Sequence, residues 1–229
     1  MEELQDRVSA LQSVLFVGNS SEHRANVRKI VGLLGKNLKW SSEQEDLNNV
    51  LNTIRQYKPA LVIIDMDVHE GRGLEFTRQL RNHVPDLRIL IISPLDELLY
   101  AERALRAGAH GYLRFDEDPG IMIKAMKIIM DGFYYVSDKV ENRILHNIAG
   151  HNEIDEDMPN RRLSNRELEI FIKIGEGMSS RKIANELSLS IKTIETHRAH
   201  IKRKLNISGS RELASHARDW VNMKAVKSV

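Results

Sequence analysis

The sequence predicts an α/β protein: a doubly wound, five-stranded parallel sheet with helices on both faces, followed by a small all-α domain. Three observations carry this. Over residues 13–132, short apolar runs alternate with helix-length amphipathic stretches, as βα units require when a parallel sheet is buried on both faces. The last third has no strand pattern and breaks into short helical segments at "GEGMS", "LSLS" and "NISGS". Charge also changes sign along the chain. Residues 162–229 hold 14 Lys or Arg against 7 Asp or Glu and residues 1–161 hold 20 against 25, although the whole chain is only +2. A basic C-terminal segment on an acidic body points to a nucleic-acid-binding domain joined to something else.

In chain order, "MEELQDRVSALQ" places Leu4, Val8 and Leu11 at helical spacing and reads as a helical extension over residues 1–12. It is acidic and lacks an apolar central stretch, so it does not read as a signal peptide. Val14–Val17, Leu61–Asp65, Ile89–Ser93 and Gly111–Phe115 are strand candidates, with a weaker one near Leu38–Ser41. Between them Glu22–Leu34, Glu43–Arg55, Leu74–Asn82, Glu97–Ala107 and Pro119–Met130 are of helix length. In "LRAGAHGYL", Gly108 suits a helix C-cap and Gly111 the opening of the next strand. Such strands and helices within residues 13–132 make a flavodoxin-like arrangement. Ser137–Ala149 reads as a connecting helix and Gly150–Arg161 as a linker, so a connecting region spans 133–161 and the final domain 162–229. There is no cysteine, which excludes disulfides and thiolate metal sites. The apolar runs are too short to cross a bilayer, so no membrane partner is expected and a cytoplasmic location is the default.

The C-terminal domain carries the more specific motif. Ser164 and Glu167 form an S-x-x-E capping box, and Ser179 and Ser190 are placed to cap the next two helices. On the third helix Ile194, Ile201 and Leu205 make one apolar seam, with Lys192, Arg198, Lys202 and Arg203 mostly off it. Leu163, Arg166, Gly177, Ile183, Ala184, Leu187, Thr193, His197, Lys204, Glu212 and Leu213 extend the pattern. With these residues the segment resembles the LuxR-type helix-turn-helix domain of NarL/FixJ-family response regulators. The resemblance implies a regulator that binds double-stranded DNA through the third helix. It assigns the DNA-binding positions to Lys192, Thr193, Glu195, Thr196, His197, Arg198, Ala199, Lys202 and Arg203. Glu195, Thr196 and Ala199 fall in the middle of the helix, where a carboxylate can accept from cytosine N4 and methyl groups can meet thymine. Lys192, Arg198, Lys202 and His197 suit phosphates. The fourth helix, Arg211–Val221, resembles the family's dimerising helix and implies a homodimer on a two-fold symmetric site.

The βα domain resembles the receiver domain of the same family. Asp65, in "ALVIIDMDVHEGRG", stands where receivers accept a phosphoryl group. Ser93, in "ILIISP", stands where a hydroxyl contacts that group, and Tyr112, in "HGYLRFD", where a switch aromatic sits. The departures carry as much information. Receivers end the first strand with two carboxylates that hold Mg²⁺, where "SVLFVGNSSEH" has Gly18 and Asn19; the residue matching their lysine is Phe115. Asp65, an Asn19 carbonyl and a backbone oxygen of Asp67 leave one formal negative charge for a hard cation that dehydrates reluctantly. Phe115 cannot neutralise phosphoryl oxygens during transfer, and Arg114 beside it falls on the opposite side of the strand. The stretch after the first strand therefore reads as an emptied metal site. A phosphate cradle is disfavoured, because "GNSSEH" has no G-x-x-x-x-G-K-[ST] pattern.

On this reading Asp65 is an unused phospho-acceptor position, no cofactor or metal is expected, and His23, His69, His83 and His110 are surface histidines. The receiver-like domain serves dimerisation, or the sensing of a protein partner or small ligand at the altered pocket of Gly18, Asn19, Asp67, Ser93 and Phe115. Two alternatives stay open: conventional phosphorylation switching at Asp65, and an adaptor whose DNA-binding domain is vestigial. No nucleophile or metal-ligand constellation supports an enzyme.

Overall fold

A computed structural model describes residues 13–35, 37–41, 46–149 and 159–226. The expected N-terminal extension and the linker before Pro159 lie outside the described residues. The chain divides into two compact units, Met1–Glu153 and Ile154–Val229.

In the first unit β1 (Ser13–Val17), β2 (Asn37–Ser41), β3 (Leu61–Asp65), β4 (Ile89–Ser93) and β5 (Gly111–Arg114) form one parallel sheet in the order β2-β1-β3-β4-β5. β1, β3 and β4 are buried from end to end, which is why their sequences are runs and not alternations. α1 (Ser21–Leu33) and α6 (Pro119–Met130) close a core with Val14, Phe16, Leu61, Ile63, Leu90, Ile92 and Leu113. α2 (Leu47–Tyr57) and α4 (Gly73–His83) pack on each other and on β1 and β3. α5 (Glu97–Arg106) lies against β5 and against α7 (Asp138–Ile148), the expected connecting helix. Ser20, Asp46, Asp96, Asp118 and Ser137 each accept a backbone N–H from the first turn of their helix, which fixes where five of these helices start. Gly108 ends α5 at φ +100°, and the Ala109 N–H reaches back to the Ala104 carbonyl at 3.0 Å, so the expected C-cap is formed. A single turn, α3 (Val68–Gly71), precedes α4 and was not expected, because four residues are too short to show a period.

The second unit is all helical: α8 (Pro159–Arg162), α9 (Asn165–Gly175), α10 (Ser180–Glu186), α11 (Ile191–Lys204) and α12 (Ser210–Val226). The helical turn of α8 replaces the last residues of the expected linker, with Pro159 in its first turn, where a missing N–H costs nothing. Leu168, Phe171, Ile174, Ile183, Ile194, Ile201, Leu213 and Trp220 are buried. The Phe171 ring meets Trp220 edge-on, with centroids 5.8 Å apart. α9 and α12 touch at Gly175, where a Cβ would stand 2.5 Å from the Ala217 carbonyl oxygen.

Candidate functional site

The carboxyl ends of the strands converge beside the β1–β3 junction, where strand order reverses and open sheets place their ligands. β3 delivers Asp65 there, buried to 2% exposure. α1 starts three residues beyond β1, capped by Ser20, whose hydroxyl accepts the His23 N–H at 3.1 Å. The early start turns the His23 side chain back over the strand ends, with Nδ1 2.6 Å from Asp65 Oδ2. Asp65 Oδ1 accepts the backbone N–H of Asp67 at 3.1 Å. The imidazole also meets the Phe115 ring, centroids 3.6 Å apart and tilted by 39°, and Phe115 packs on the core. Clamped between a carboxylate and an aromatic ring, the His23 side chain is only 15% exposed.

This arrangement decides whether a receiver's Mg²⁺ fits. A Cβ at Gly18 would lie 2.6 Å from the Asp65 Cβ and 2.8 Å from Phe16 Cζ, so the backbone leaves no room for a carboxylate there. Asp67 is exposed and reaches Asp65 through its main chain. Both Asp65 oxygens have protein donors. Among the described residues no three His, Asp or Glu side chains gather to hold a metal ion. The residues present do not fit Mg²⁺.

Ser93 and Tyr112 are joined beside the pocket. The Ser93 hydroxyl, fully buried, accepts the Leu95 N–H at 3.2 Å, and the Tyr112 hydroxyl donates to the Leu95 carbonyl at 2.9 Å. Burial pushes the Tyr112 phenol well above its usual range, against an opposing hydrogen bond with Ser93. Arg114 points away from the pocket and pairs with Asp116 through two contacts of 2.8 and 2.7 Å.

Two histidines expected at the surface are not there. His110 is buried at 9% exposure and its Nδ1 faces the Ile89 N–H at 3.4 Å. Burial first, then Arg81 and Arg88, holds its pKa below the ordinary value. His23 is the pocket's central group. One signal in the sequence marks it: His23, Val27, Ile30 and Leu34 share a helical stripe, which α1 turns toward the core. His83 is exposed, as expected, and the His69 side chain lies outside the described residues.

In the second unit the capping box forms completely. Glu167 N–H donates to Ser164 Oγ at 3.3 Å and Ser164 N–H to Glu167 Oε2 at 2.7 Å. Lys204 Nζ reaches the same oxygen at 2.6 Å, tying the end of α11 to the start of α9. Burial raises the Glu167 carboxyl, but Lys204 and the Ser164 donors outweigh it and hold the pKa below the usual carboxylate value. On α11, Lys192, Glu195, Thr196, Ala199 and Arg203 are exposed, at spacings that place them on one face. Thr193, His197, Arg198 and Lys202 are half-buried on its flanks. The Thr193 hydroxyl bonds Ser190 at 2.8 Å and that of Thr196 donates to the Lys192 carbonyl at 3.0 Å. Glu195 Oε1 accepts the Ser180 hydroxyl at 2.6 Å. Burial holds His197 below its ordinary pKa, against the raising effect of Glu167.

These two units define a class: a response regulator whose output domain is a helix-turn-helix. The response regulator receiver domain matches residues 14–127 and the luxR family of bacterial regulatory proteins matches residues 161–217. Fimbriae Z protein of Salmonella typhimurium is 33% identical over 202 residues, covering 86% of this chain and 93% of its own. Oxygen regulatory protein NreC of Staphylococcus carnosus is 33% identical over 168 residues, covering 72% and 77%. Transcriptional regulatory protein DegU of Brevibacillus brevis is 25% identical over 226 residues, covering 92% and 95%. A solved structure of the Salmonella typhimurium RcsB response regulator has the same fold, with a TM-score of 0.51 and 20% identity over 90% of this chain and 97% of that one. The chain belongs to the luxR-family response regulators, which are DNA-binding regulators of transcription and not enzymes. Among the described residues no helix is long and apolar enough to cross a membrane.

Proposed function

We propose that this protein is a cytoplasmic, homodimeric transcriptional regulator whose receiver domain works without Mg²⁺-dependent phosphorylation of Asp65. The observation that carries the reading is the His23 imidazole, 2.6 Å from Asp65 Oδ2 and backed by Phe115. Phosphoryl transfer needs an aspartate oxygen open to in-line approach and cations to neutralise the equatorial oxygens. Here the carboxylate is covered by an imidazole and a main-chain donor, and an aromatic ring stands where the lysine would act. The output is then set by dimerisation, or by a protein partner or small ligand at the domain. Lys192, Lys202 and Arg203 supply phosphate contacts and the outer face of α11 enters the major groove.

The test is incubation of the full chain with acetyl phosphate and Mg²⁺, followed by phosphate-affinity electrophoresis and DNA titration. No phosphoaspartate should accumulate, and Asp65→Ala should bind DNA within about twofold of wild type, the change expected when no transition-state or interface group is lost. Stoichiometric labelling of Asp65 accompanied by a change in DNA affinity overturns the reading.

A further inference from the structure

We infer that Ser180 is a positioning residue, which fixes Glu195 as the reader of an exocyclic base amine at one base pair in each half-site. The inference rests on the proposal that the outer face of α11 meets DNA, and deepens it. Four of the positions assigned to DNA on that helix carry non-basic side chains: Thr193, Glu195, Thr196 and Ala199. Thr193 bonds Ser190, Thr196 turns its hydroxyl back to the Lys192 carbonyl, and Ala199 has no polar atom. Of these four, only the Glu195 carboxylate presents acceptor capacity outward, with its side chain 57% exposed.

Its orientation is set from two sides. The Ser180 hydroxyl, at the first position of α10, donates to Oε1 at 2.6 Å. The Arg198 Nε lies 3.8 Å from Oε2, and the Arg198 side chain is only 14% exposed, so this cation is itself held in place. An ionised carboxylate has about four acceptor sites. The two anchors leave some of them facing away from the protein, in a carboxylate whose rotamer freedom has been reduced before binding.

The chemistry selects its partner. A carboxylate accepts hydrogen bonds and cannot donate them, so it is repelled by the N7 and O6 edge of guanine, by thymine O4 and by phosphate. It is satisfied only by an amine: cytosine N4 or adenine N6. Desolvating Glu195 against any other edge leaves its outward-facing acceptor sites without a donor, so the residue discriminates by penalty more than by attraction. Arg198 compensates the charge enough for α11 to approach the phosphates.

Selection of duplexes from a randomised library by the full chain, followed by anisotropy titration of the chosen duplex and its single-pair variants, tests this. Wild type should show one pair per half-site at which substitution costs on the order of tenfold in affinity; the selected base tells cytosine from adenine. Glu195→Ala should abolish the preference at that pair and leave the rank order of preferences at the other pairs of the half-site as in wild type. Ser180→Ala should relax the same pair by about threefold, the effect of one hydrogen bond, and Ser180→Thr should restore it.

If either alanine variant weakens all duplexes equally with preferences intact, the contact is only a staple between α10 and α11 and the inference fails. It fails too if wild type selects no preferred pair. Failure of the underlying face assignment appears separately: Lys192→Glu with Arg203→Glu should abolish binding to every duplex, and retention of binding would remove α11 from the interface altogether.

Discussion

His23 has taken over the work of several groups at once. Its ring bonds the carboxylate of Asp65, lies over the strand ends beside it, and gives Phe115 an aromatic surface to rest on. The neighbouring Gly18 is the complementary half of the change, since a Cβ there would stand only 2.6 Å from the Asp65 Cβ, closer than any side chain permits. The pocket therefore cannot be restored one residue at a time. Gly18→Asp, the substitution that returns the usual acidic residue, should destabilise the first unit by about 1–3 kcal/mol through overpacking. Urea denaturation reads this, and Mg²⁺ titration by calorimetry should detect no binding to the variant. Recovery of millimolar Mg²⁺ affinity in Gly18→Asp alone would mean that the backbone yields and that the crowding argument is wrong.

At the scale of elements, the second unit is held by a few connections between helices that a list of apolar residues does not reveal. The capping box at the start of α9 is extended by Lys204 from the end of α11, so one buried carboxylate fixes two helices. Gly175 lets α12 press against α9. These connections carry a pH dependence. Glu167 is held below its ordinary value of 4.5 and His197 below 6.5, so in both cases the unfolded chain takes up the proton more readily. Their stabilisation is complete above pH 6.5 and is lost on acidification, first as His197 protonates and then as the pH falls through the folded-state value of Glu167. The melting temperature of the second unit should fall from pH 7 toward pH 4. His197→Gln should flatten the upper part of that profile and leave the part below pH 4.5 in place.

At the scale of the whole molecule, binding should be governed by counterion release. Lys192, Lys202 and Arg203, on or beside the outer face of α11 and doubled in the proposed dimer, should give a slope of log affinity against log salt of about −5. Anisotropy titrations between 50 and 200 mM salt should lose roughly a thousandfold in affinity, and Lys192→Ala should reduce the slope by about two in the dimer; an insensitive protein would not be reading DNA through this face. The strands, and the helix starts at Ser164, Ser179 and Ser190, were legible because each rests on local chemistry: apolar runs make strands buried on both faces, and Ser before an amphipathic stretch starts a helix; the second helix, expected from Glu43, starts at Leu47 behind Asp46. The absence of a metal-binding carboxylate pair was equally legible, as Gly18 and Asn19 are simply the wrong chemistry. What the sequence did not reveal was the replacement. Nothing local links His23 to Asp65, 42 residues away, or Ser180 to Glu195 across two helices. Nor does the stripe His23 shares with Val27 and Ile30 say which group a buried ring will meet. Composition and periodicity settled most of the elements and the fold class, because those depend on neighbours in the chain, and motif resemblance supplied the family. Only the tertiary structure decided what fills the pocket and which carboxylate faces outward, because a side chain's partner is chosen by the packing that brings distant residues within a few ångströms.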